Sequence, residues 1–138
     1  MTPEVGLTVV HRRYVSYADA HYGGSLVDGA FSLALFGDVA TELCIRTDGD
    51  EGLFAGYRDV AFHEAVRAGD VLEVSAELVR VGRRSREVAF EARVVCRAEP
   101  ERSSSASRVL TEPLLVTSAR GTVVVPGAAP TADVPARV

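Results

Sequence analysis

The sequence has 138 residues, 47% of them apolar and 25% charged, which predicts one globular domain and excludes a disordered or fibrous chain. The net charge of −4 lacks the basic excess of nucleic-acid-binding proteins, and no apolar run approaches the roughly 20 residues that cross a bilayer. All fifteen basic residues are arginine, which excludes lysine Schiff bases, lysine-anchored pyridoxal phosphate and Walker-type phosphate loops.

The first residues and the cysteines predict the compartment. No basic segment followed by an apolar one begins the sequence, so we expect a cytoplasmic protein. Cys44 and Cys96 have no ligand-like spacing, which predicts two reduced thiols and no bound metal.

The first third of the chain predicts a strand, a loop and one long helix. Residues 5–15 are rich in β-formers and predict the first strand, and residues 17–24 predict a loop that ends in two glycines. From Ser25 to about Arg46 the residues favour a helix, with Ser25 or the glycine before it as N-cap and Asp28 in the first turn. This helix is apolar nearly all round, which predicts that it is buried.

The remainder of the chain predicts strands. Apolar and polar residues alternate over 72–78 and again over 88–94, and residues 79–85 connect the two segments as a hairpin. After a polar loop, residues 108–125 predict a last strand. Residues 126–138 are rich in Pro and Ala and predict a flexible tail.

One long helix followed by antiparallel strands is an α+β pattern. It is similar to the hot-dog fold, a single domain in which a curved antiparallel sheet of about five strands wraps around a long central helix. We assign residues 1–125 to this domain. Exposed sheet edges of this kind pair between subunits, so we expect a homodimer or a higher homo-oligomer.

Several blocks of the sequence resemble one family of hot-dog enzymes, the 3-aminobutyryl-CoA and β-alanyl-CoA ammonia lyases. The resemblance covers residues 7–126 and lies mainly in four blocks: Asp19–Ala30, Leu35–Leu43, Asp48–Phe54 and Ala119–Pro126. The run Val66–Asp70 is shared by hot-dog enzymes generally. The sequence departs from the family at Ala65, where many relatives carry Pro, and at His63-Glu64, which replace residues that are often apolar.

The resemblance implies a carbon–nitrogen lyase that removes ammonia from a 3-aminoacyl thioester or adds an amine to the β-carbon of an enoyl thioester. A related group adds glycine in an aza-Michael addition to a carrier-bound thioester. The implied partners are an acyl thioester, a small amine and an acyl carrier protein in the second case. No cofactor is implied, because CoA or phosphopantetheine is part of the substrate. The alternatives are an acyl-CoA or acyl-carrier-protein thioesterase and a non-catalytic thioester-binding module.

This chemistry needs a polarised thioester carbonyl. Backbone N–H groups at a helix N-terminus can polarise this carbonyl, aided by the helix dipole. Gly23, Gly24 and Ser25 are placed there in the predicted helix, and glycine lets a thioester approach the backbone closely. The alternative is that the two glycines only form a tight turn.

Four residues are candidates for proton transfer. Asp28 lies in an otherwise apolar helix and is expected to be partly buried with a raised pKa, although a first-turn Asp is also favourable to the helix dipole alone. His21 and Tyr22 precede the glycine turn, where a thioester would lie, or pack as ordinary loop residues. Glu51 is either a second carboxylate or part of a solvated acidic loop.

The remaining candidates would bind the substrate. Tyr57, His63 and Glu64 are expected on a strand that faces the helix and lines the acyl pocket. A second group is expected to hold the phosphates of CoA or a carrier, unless it forms an ordinary solvated turn. This group is Arg83, Arg84, Ser85 and Arg120.

Other enzyme classes are excluded by missing motifs. The sequence has no Ala-Ser-Gly for the self-made cofactor of aromatic ammonia lyases and no Gly-x-Ser-x-Gly of a serine hydrolase. His63-Glu64 lacks the second histidine of a zinc protease helix. Leu33 stands five residues after Asp28, where the hydratase pattern needs a histidine.

Overall fold

A computed structural model describes residues 3–126 of the chain. Apart from Pro126, the predicted tail of residues 126–138 lies outside the described residues, and its flexibility stays a prediction. The elements are β1 (Thr8–Tyr14), a 3-10 turn (Tyr17–Asp19), β2 (Leu26–Val27), α1 (Gly29–Asp48), β3 (Leu53–Phe62), β4 (Val66–Arg67), β5 (Val71–Val81), β6 (Ser85–Ala98) and β7 (Ser107–Val124).

Five strands form one antiparallel sheet in the order β1-β5-β6-β7-β3, and β2 pairs with β4 in a separate two-stranded ribbon. The helix α1 packs on one face of the large sheet. The predicted α+β hot-dog architecture with five strands is therefore confirmed. No helix within residues 3–126 has the length and apolar character needed to cross a membrane.

The core lies between α1 and the central strands. The alternation predicted for β5 and β6 is present, because the residues at 72, 74, 76, 78, 88, 90, 92 and 94 are all buried. The rings of Phe36 and Phe90 stack across the interface at 4.9 Å between centroids. Their contact joins the middle of the helix to the middle of the sheet.

The helix begins four residues later than predicted. Gly24 and Ser25 have positive φ angles of 76° and 60°, so neither can be a helix N-cap, and β2 follows them. Asp28 is the N-cap and Gly29 the first helical residue. The helix ends at Asp48, and Gly49 (φ 65°) donates its N–H to Ile45 O in a left-handed cap.

The prediction that α1 is buried all round is wrong for the single chain. The sheet covers one side of the helix, where Leu35, Phe36, Val39 and Leu43 are buried. Ile45, on the other side, is 49% exposed. A single sheet contacts only a stripe of a helix, so the opposite side of α1 stays exposed in the single chain.

Two buried ion pairs hold the two ends of this assembly. Arg86 donates two hydrogen bonds to Asp48 (2.7 and 3.0 Å), which ties the C-terminus of α1 to the β5–β6 hairpin. At the other end, Arg97 donates to both carboxylate oxygens of Asp70 and to the carbonyl of Ala65. The second pair fixes the chain on either side of β4, beside the first turn of α1.

Candidate active site

A cavity of about 550 Å³ opens at the N-terminus of α1. The first turn of the helix forms one wall, and residues 62–66, at the end of β3 and beyond it, form the opposite wall. Thr117 of β7 and the β2 segment complete it. Carboxylates, hydroxyls and apolar side chains all line the same space.

Asp28 is the central polar group of this cavity. Its Oδ1 accepts a hydrogen bond from the backbone N–H of Phe31 at 3.0 Å, and its Oδ2 accepts one from His21 Nε2 at 2.5 Å. The expected raised pKa is wrong. The hydrogen bond from His21 lowers the pKa of Asp28 most, the Phe31 N–H lowers it further, and burial opposes them only in part. The side chain remains about one-third exposed, so Asp28 stays an ionised partner of His21.

His21 and Tyr22 meet at the rim of the cavity. Their rings contact edge to face at 4.7 Å between centroids, and Tyr22 lines the cavity itself. His21 is more than half exposed, so its ring is open to a ligand while Asp28 orients it. The structure therefore brings three of the four predicted proton-transfer residues together.

The predicted donors of the glycine turn are displaced from the helix. Tyr22 N–H bonds to Leu26 O, so Gly23, Gly24 and Ser25 form the turn of a small loop before β2. Gly24 and Ser25 line a separate cavity of about 440 Å³ instead. Because Asp28 is the N-cap, the N–H groups of the residues before it do not lie at the N-terminus of the helix.

Gly29, and not the glycine turn, lies at the N-terminus of the helix. It is the first helical residue, it lines the main cavity, and its N–H is one of those that a helix start leaves without an intrahelical acceptor. A Cβ at this position would lie 2.5 Å from the ring of Phe62, so only glycine allows this contact between helix and wall.

His63 and Glu64 line the cavity from a segment just after β3, not from the strand itself. Their backbone N–H groups both donate to Val116 O, which holds the segment against β7. His63 Nε2 lies 2.8 Å from Ser118 Oγ. The Glu64 carboxylate makes no hydrogen bond or ion pair with another residue of the described part of the chain, and it is exposed to solvent.

Tyr57 and Glu51 lie elsewhere. Both line a cavity of about 410 Å³ beside the middle of α1, together with Asp38. The Tyr57 hydroxyl donates to Leu33 O at 2.5 Å, and burial, aided by the Asp38 charge, raises the pKa of Tyr57 to about 12. Within one chain these residues do not join His21 and Asp28, which corrects the expectation of a single pocket.

The predicted phosphate-binding residues are also remote from the main cavity. Arg83, Arg84 and Ser85 lie at the β5–β6 hairpin, which Arg86 ties to the C-terminus of α1. The cavity is at the other end of this helix, about 30 Å away. Arg120 lies 3.3 Å from Glu87 on β6, where Arg58 also binds at 2.6 Å.

Among the cavity residues that the sequence analysis missed are two hydroxyl side chains. The hydroxyls of Ser32 and Thr117 lie 3.0 Å apart, and both residues are 1% exposed. The sequence does contain one sign of this pair, because Ser32 shares the core-facing side of an apolar helix with Leu35, Phe36 and Val39. Small hydroxyl residues are too common in helices and strands for that signal to identify a site alone. No group of three His, Cys, Asp or Glu side chains in residues 3–126 could hold a metal ion.

One family model matches half of this chain, and known proteins match most of it. The family model of the thioesterase superfamily matches residues 25–94. The 3-aminobutyryl-CoA ammonia lyase of Acetoanaerobium sticklandii is 53% identical over 112 residues, which are 81% of this chain and 89% of that protein. The structure of β-alanyl-CoA:ammonia lyase from Clostridium propionicum is 36% identical with a TM-score of 0.83, and the match covers 88% of this chain and 87% of that one.

A more distant structure shares the fold alone. The hexameric hotdog fold thioesterase Cj0915 of Campylobacter jejuni is 20% identical, with a TM-score of 0.68 over 83% of this chain and 79% of that one. Identity at this level carries no information about the reaction.

The two hydrogen bonds of Asp28 predict different outcomes for two substitutions. Asp28→Ala removes the N-cap of α1 and should lower the melting temperature by about 3–5 °C. Asp28→Asn keeps a cap of similar strength and should melt near the wild-type temperature at pH 7. The contribution of ionised Asp28 is present above its unfolded pKa and is lost as the pH falls through its lowered folded pKa, so wild type should lose more stability in acid than Asp28→Asn. Thermal melts of the three proteins from pH 7 to pH 3 measure the loss of the cap and the acid dependence. Equal melting temperatures of Asp28→Ala and Asp28→Asn at pH 7 would contradict the capping role.

Proposed function

The chain belongs to the thioesterase superfamily and, within it, to the family of its ammonia-lyase relatives, and from this premise we propose that it reversibly removes ammonia from a 3-aminoacyl thioester. The observation that carries the proposal is 53% identity to a 3-aminobutyryl-CoA ammonia lyase across most of both chains. The main cavity supports it, because it combines an aspartate–histidine pair with the N-terminus of a helix. Thioesterase activity has support only from distant relatives that share the fold.

The thioester carbonyl would lie against the first turn of α1. The Gly29 N–H and the positive end of the helix dipole can stabilise the negative charge that develops on the carbonyl oxygen when the α-proton leaves. Gly29 has no side chain, and the ring of Phe62 occupies the space that a Cβ would take. The helix therefore makes the α-proton more acidic without a metal or an added cofactor.

His21 is the group suited to take that proton. The neutral imidazole removes the proton from Cα, and Asp28 stabilises the imidazolium that forms. The electron pair left on Cα is first held in the enolate and then forms the Cα=Cβ double bond. The Cβ–N bond breaks with both electrons on nitrogen, so a substrate ammonium group leaves as neutral ammonia. The reverse sequence adds ammonia to an enoyl thioester.

The cavity favours ammonia over glycine as the amine. A glycine donor carries a carboxylate, which would need a cationic partner. None of the described residues that line the cavity is an arginine, while Asp28 and Glu64 place two carboxylates there. The two lining or adjacent histidines already have partners in Asp28 and Ser118. Neutral ammonia carries no negative charge that these carboxylates would repel, and it has no carboxylate that needs a cationic partner.

We also propose that the chain works as a homodimer in the cytoplasm. Strand β3 is an edge of the sheet, and it exposes large apolar side chains, among them Val60 and Phe62, the latter 57% exposed. Edge-to-edge pairing of β3 from two copies would cover these residues. It would also bring the Tyr57–Glu51 cavity and the Arg83–Ser85 hairpin of one copy toward its partner, where their predicted substrate contacts could be made. CoA and a carrier-bound phosphopantetheine both remain compatible with this arrangement.

The reaction is tested by mass spectrometry of crotonyl-CoA incubated with the protein and ammonia, glycine or buffer alone. We expect an intact CoA thioester that has gained the mass of ammonia, and no glycine adduct. Heat-inactivated protein is the control for uncatalysed addition. Free CoA released at the same rate in all three mixtures would contradict the lyase assignment and establish a thioesterase.

The proton-transfer pair predicts that His21→Gln and Asp28→Asn both lower turnover by about 10²-fold or more. Both variants should still bind butyryl-CoA, an unreactive analogue, with wild-type affinity, because neither residue is needed to hold the acyl thioester. Glu73→Gln, whose carboxylate binds Arg12 and does not line the main cavity, is the comparison variant and should turn over at the wild-type rate. Wild-type turnover in His21→Gln would remove this histidine from the mechanism.

The dimer is tested by two matched lysine substitutions on the two edges of the sheet. Val60→Lys on β3 places a charge in the proposed interface and should shift the protein toward a monomer in light scattering. Val10→Lys on β1, the opposite edge and equally apolar, should leave the mass unchanged. A wild-type protein that is monomeric, or a dimer broken only by Val10→Lys, would contradict the β3 interface.

A further inference from the structure

The inner wall of the main cavity carries a pair of hydroxyls. Ser32 lies one turn into α1 and Thr117 lies on β7, so the pair bridges the helix and the sheet where they meet. Thr117 Oγ1 donates to Ser32 Oγ at 3.0 Å, and each residue is only 1% exposed. Both also line the cavity.

Packing does not require hydroxyls at these positions. The surrounding core is apolar. Val27 and Val66 are buried and line the cavity, and Val116, next to Thr117 in the sequence, is also buried. Valine has the shape of threonine, and alanine fits where serine fits. Replacing both partners of a buried hydrogen bond with apolar groups of the same shape is often neutral or stabilising. The pair is therefore better explained by what it offers to the cavity than by its own bond.

The pair retains unused hydrogen-bonding capacity. Two hydroxyls have two hydrogens and four lone pairs, and their mutual bond uses one of each. Neither side chain bonds to any other residue among those the structure describes. One hydrogen and three lone pairs remain, so the pair accepts more hydrogen bonds than it donates. A ligand group rich in N–H donors satisfies it better than a carbonyl or an alkyl chain.

The position of the pair matches the substituted carbon of the substrate. Ser32 follows Asp28 by four residues, which places it about 6 Å away on the same face of the helix. A thioester bound with its α-carbon beside the His21–Asp28 pair and its acyl chain extended into the cavity would place its β-carbon further inside. The β-nitrogen is the next atom along and would reach the hydroxyls.

We propose that Ser32 and Thr117 form the binding site for the β-amino group, accepting hydrogen bonds from its N–H groups in the substrate and from free ammonia in the reverse reaction. The inference rests on the proposed lyase function and adds the residues that distinguish an amino substituent from a plain alkyl chain. Held in this way, the nitrogen is oriented for its bond to Cβ to break or form.

The test removes the hydroxyls and keeps the shapes. The double variant Ser32→Ala/Thr117→Val lacks both hydroxyls, and Thr117→Ser is the matched control that loses a methyl group but keeps its hydroxyl. Three quantities are measured for each: the melting temperature, the dissociation constant of butyryl-CoA, and the KM for ammonia with crotonyl-CoA as co-substrate. Butyryl-CoA has no amino group and reports the rest of the site.

We expect the double variant to keep or raise its melting temperature and to bind butyryl-CoA as wild type does, while its KM for ammonia rises about tenfold or more. Thr117→Ser keeps a hydroxyl at the site, so its KM for ammonia should rise much less than that of the double variant. An unchanged ammonia KM in the double variant would overturn the proposal. So would an equal loss of butyryl-CoA affinity, which would assign the pair a structural role.

A failure of the lyase function itself gives a different result. If the wild-type protein adds no ammonia to crotonyl-CoA, the proposed function is wrong, and 3-aminobutyryl-CoA then binds without turnover. Its dissociation constant, compared with that of butyryl-CoA in wild type and in the double variant, tests the hydroxyl pair directly. A preference for the amino compound that disappears in the double variant supports the amine site, and no preference in wild type overturns it.

Discussion

The carboxylate of Asp28 makes the two hydrogen bonds on which the site depends. One oxygen caps the Phe31 N–H and so sets the residue at which α1 begins, and the other holds His21. Because a helix repeats every 3.6 residues, its starting point decides which side chains face the cavity. Gly29 and Ser32, about one turn apart, then both line the cavity. A single side chain thereby couples the helix N-terminus to the proposed proton-transfer group, and the pKa of Asp28 is lowered because both partners stabilise its charge.

The opposite wall is held as firmly as the helix. The Arg97–Asp70 ion pair also binds the Ala65 carbonyl, and the N–H groups of His63 and Glu64 bind Val116 O. These bonds fix a segment that belongs to no long strand, so its side chains keep their place in the cavity. The Phe62 ring closes the gap against Gly29. Catalytic geometry of this kind depends on such supporting contacts, since small displacements of reacting groups are costly.

The same fold serves thioesterases and ammonia lyases, so the reaction must be decided by the groups in the cavity and not by the sheet. Hydrolysis needs water delivered to the thioester carbonyl, whereas ammonia loss needs a proton taken from Cα and a nitrogen held at Cβ. In this chain the aspartate–histidine pair and the buried hydroxyls lie one helical turn apart, and the proposed contacts at Cα and with the nitrogen on Cβ rest on that spacing. The acidic wall, without an arginine among its described residues, fits a small amine.

The sequence by itself determined the fold class, because alternation in β5 and β6 and one long apolar segment permit few arrangements, and its blocks around His21–Asp28 indicated the family. It located the helix four residues too early, since Ser25 is a good N-cap by type and its left-handed φ is not encoded in any local pattern. It grouped Tyr57 and Glu51 with Asp28, although β3 and the loop before it place these two residues beside the middle of the helix. Only the tertiary structure decided which residues share the cavity. Ser32 and Thr117 are 85 residues apart, and their contact exists because β7 runs beneath the first turns of α1.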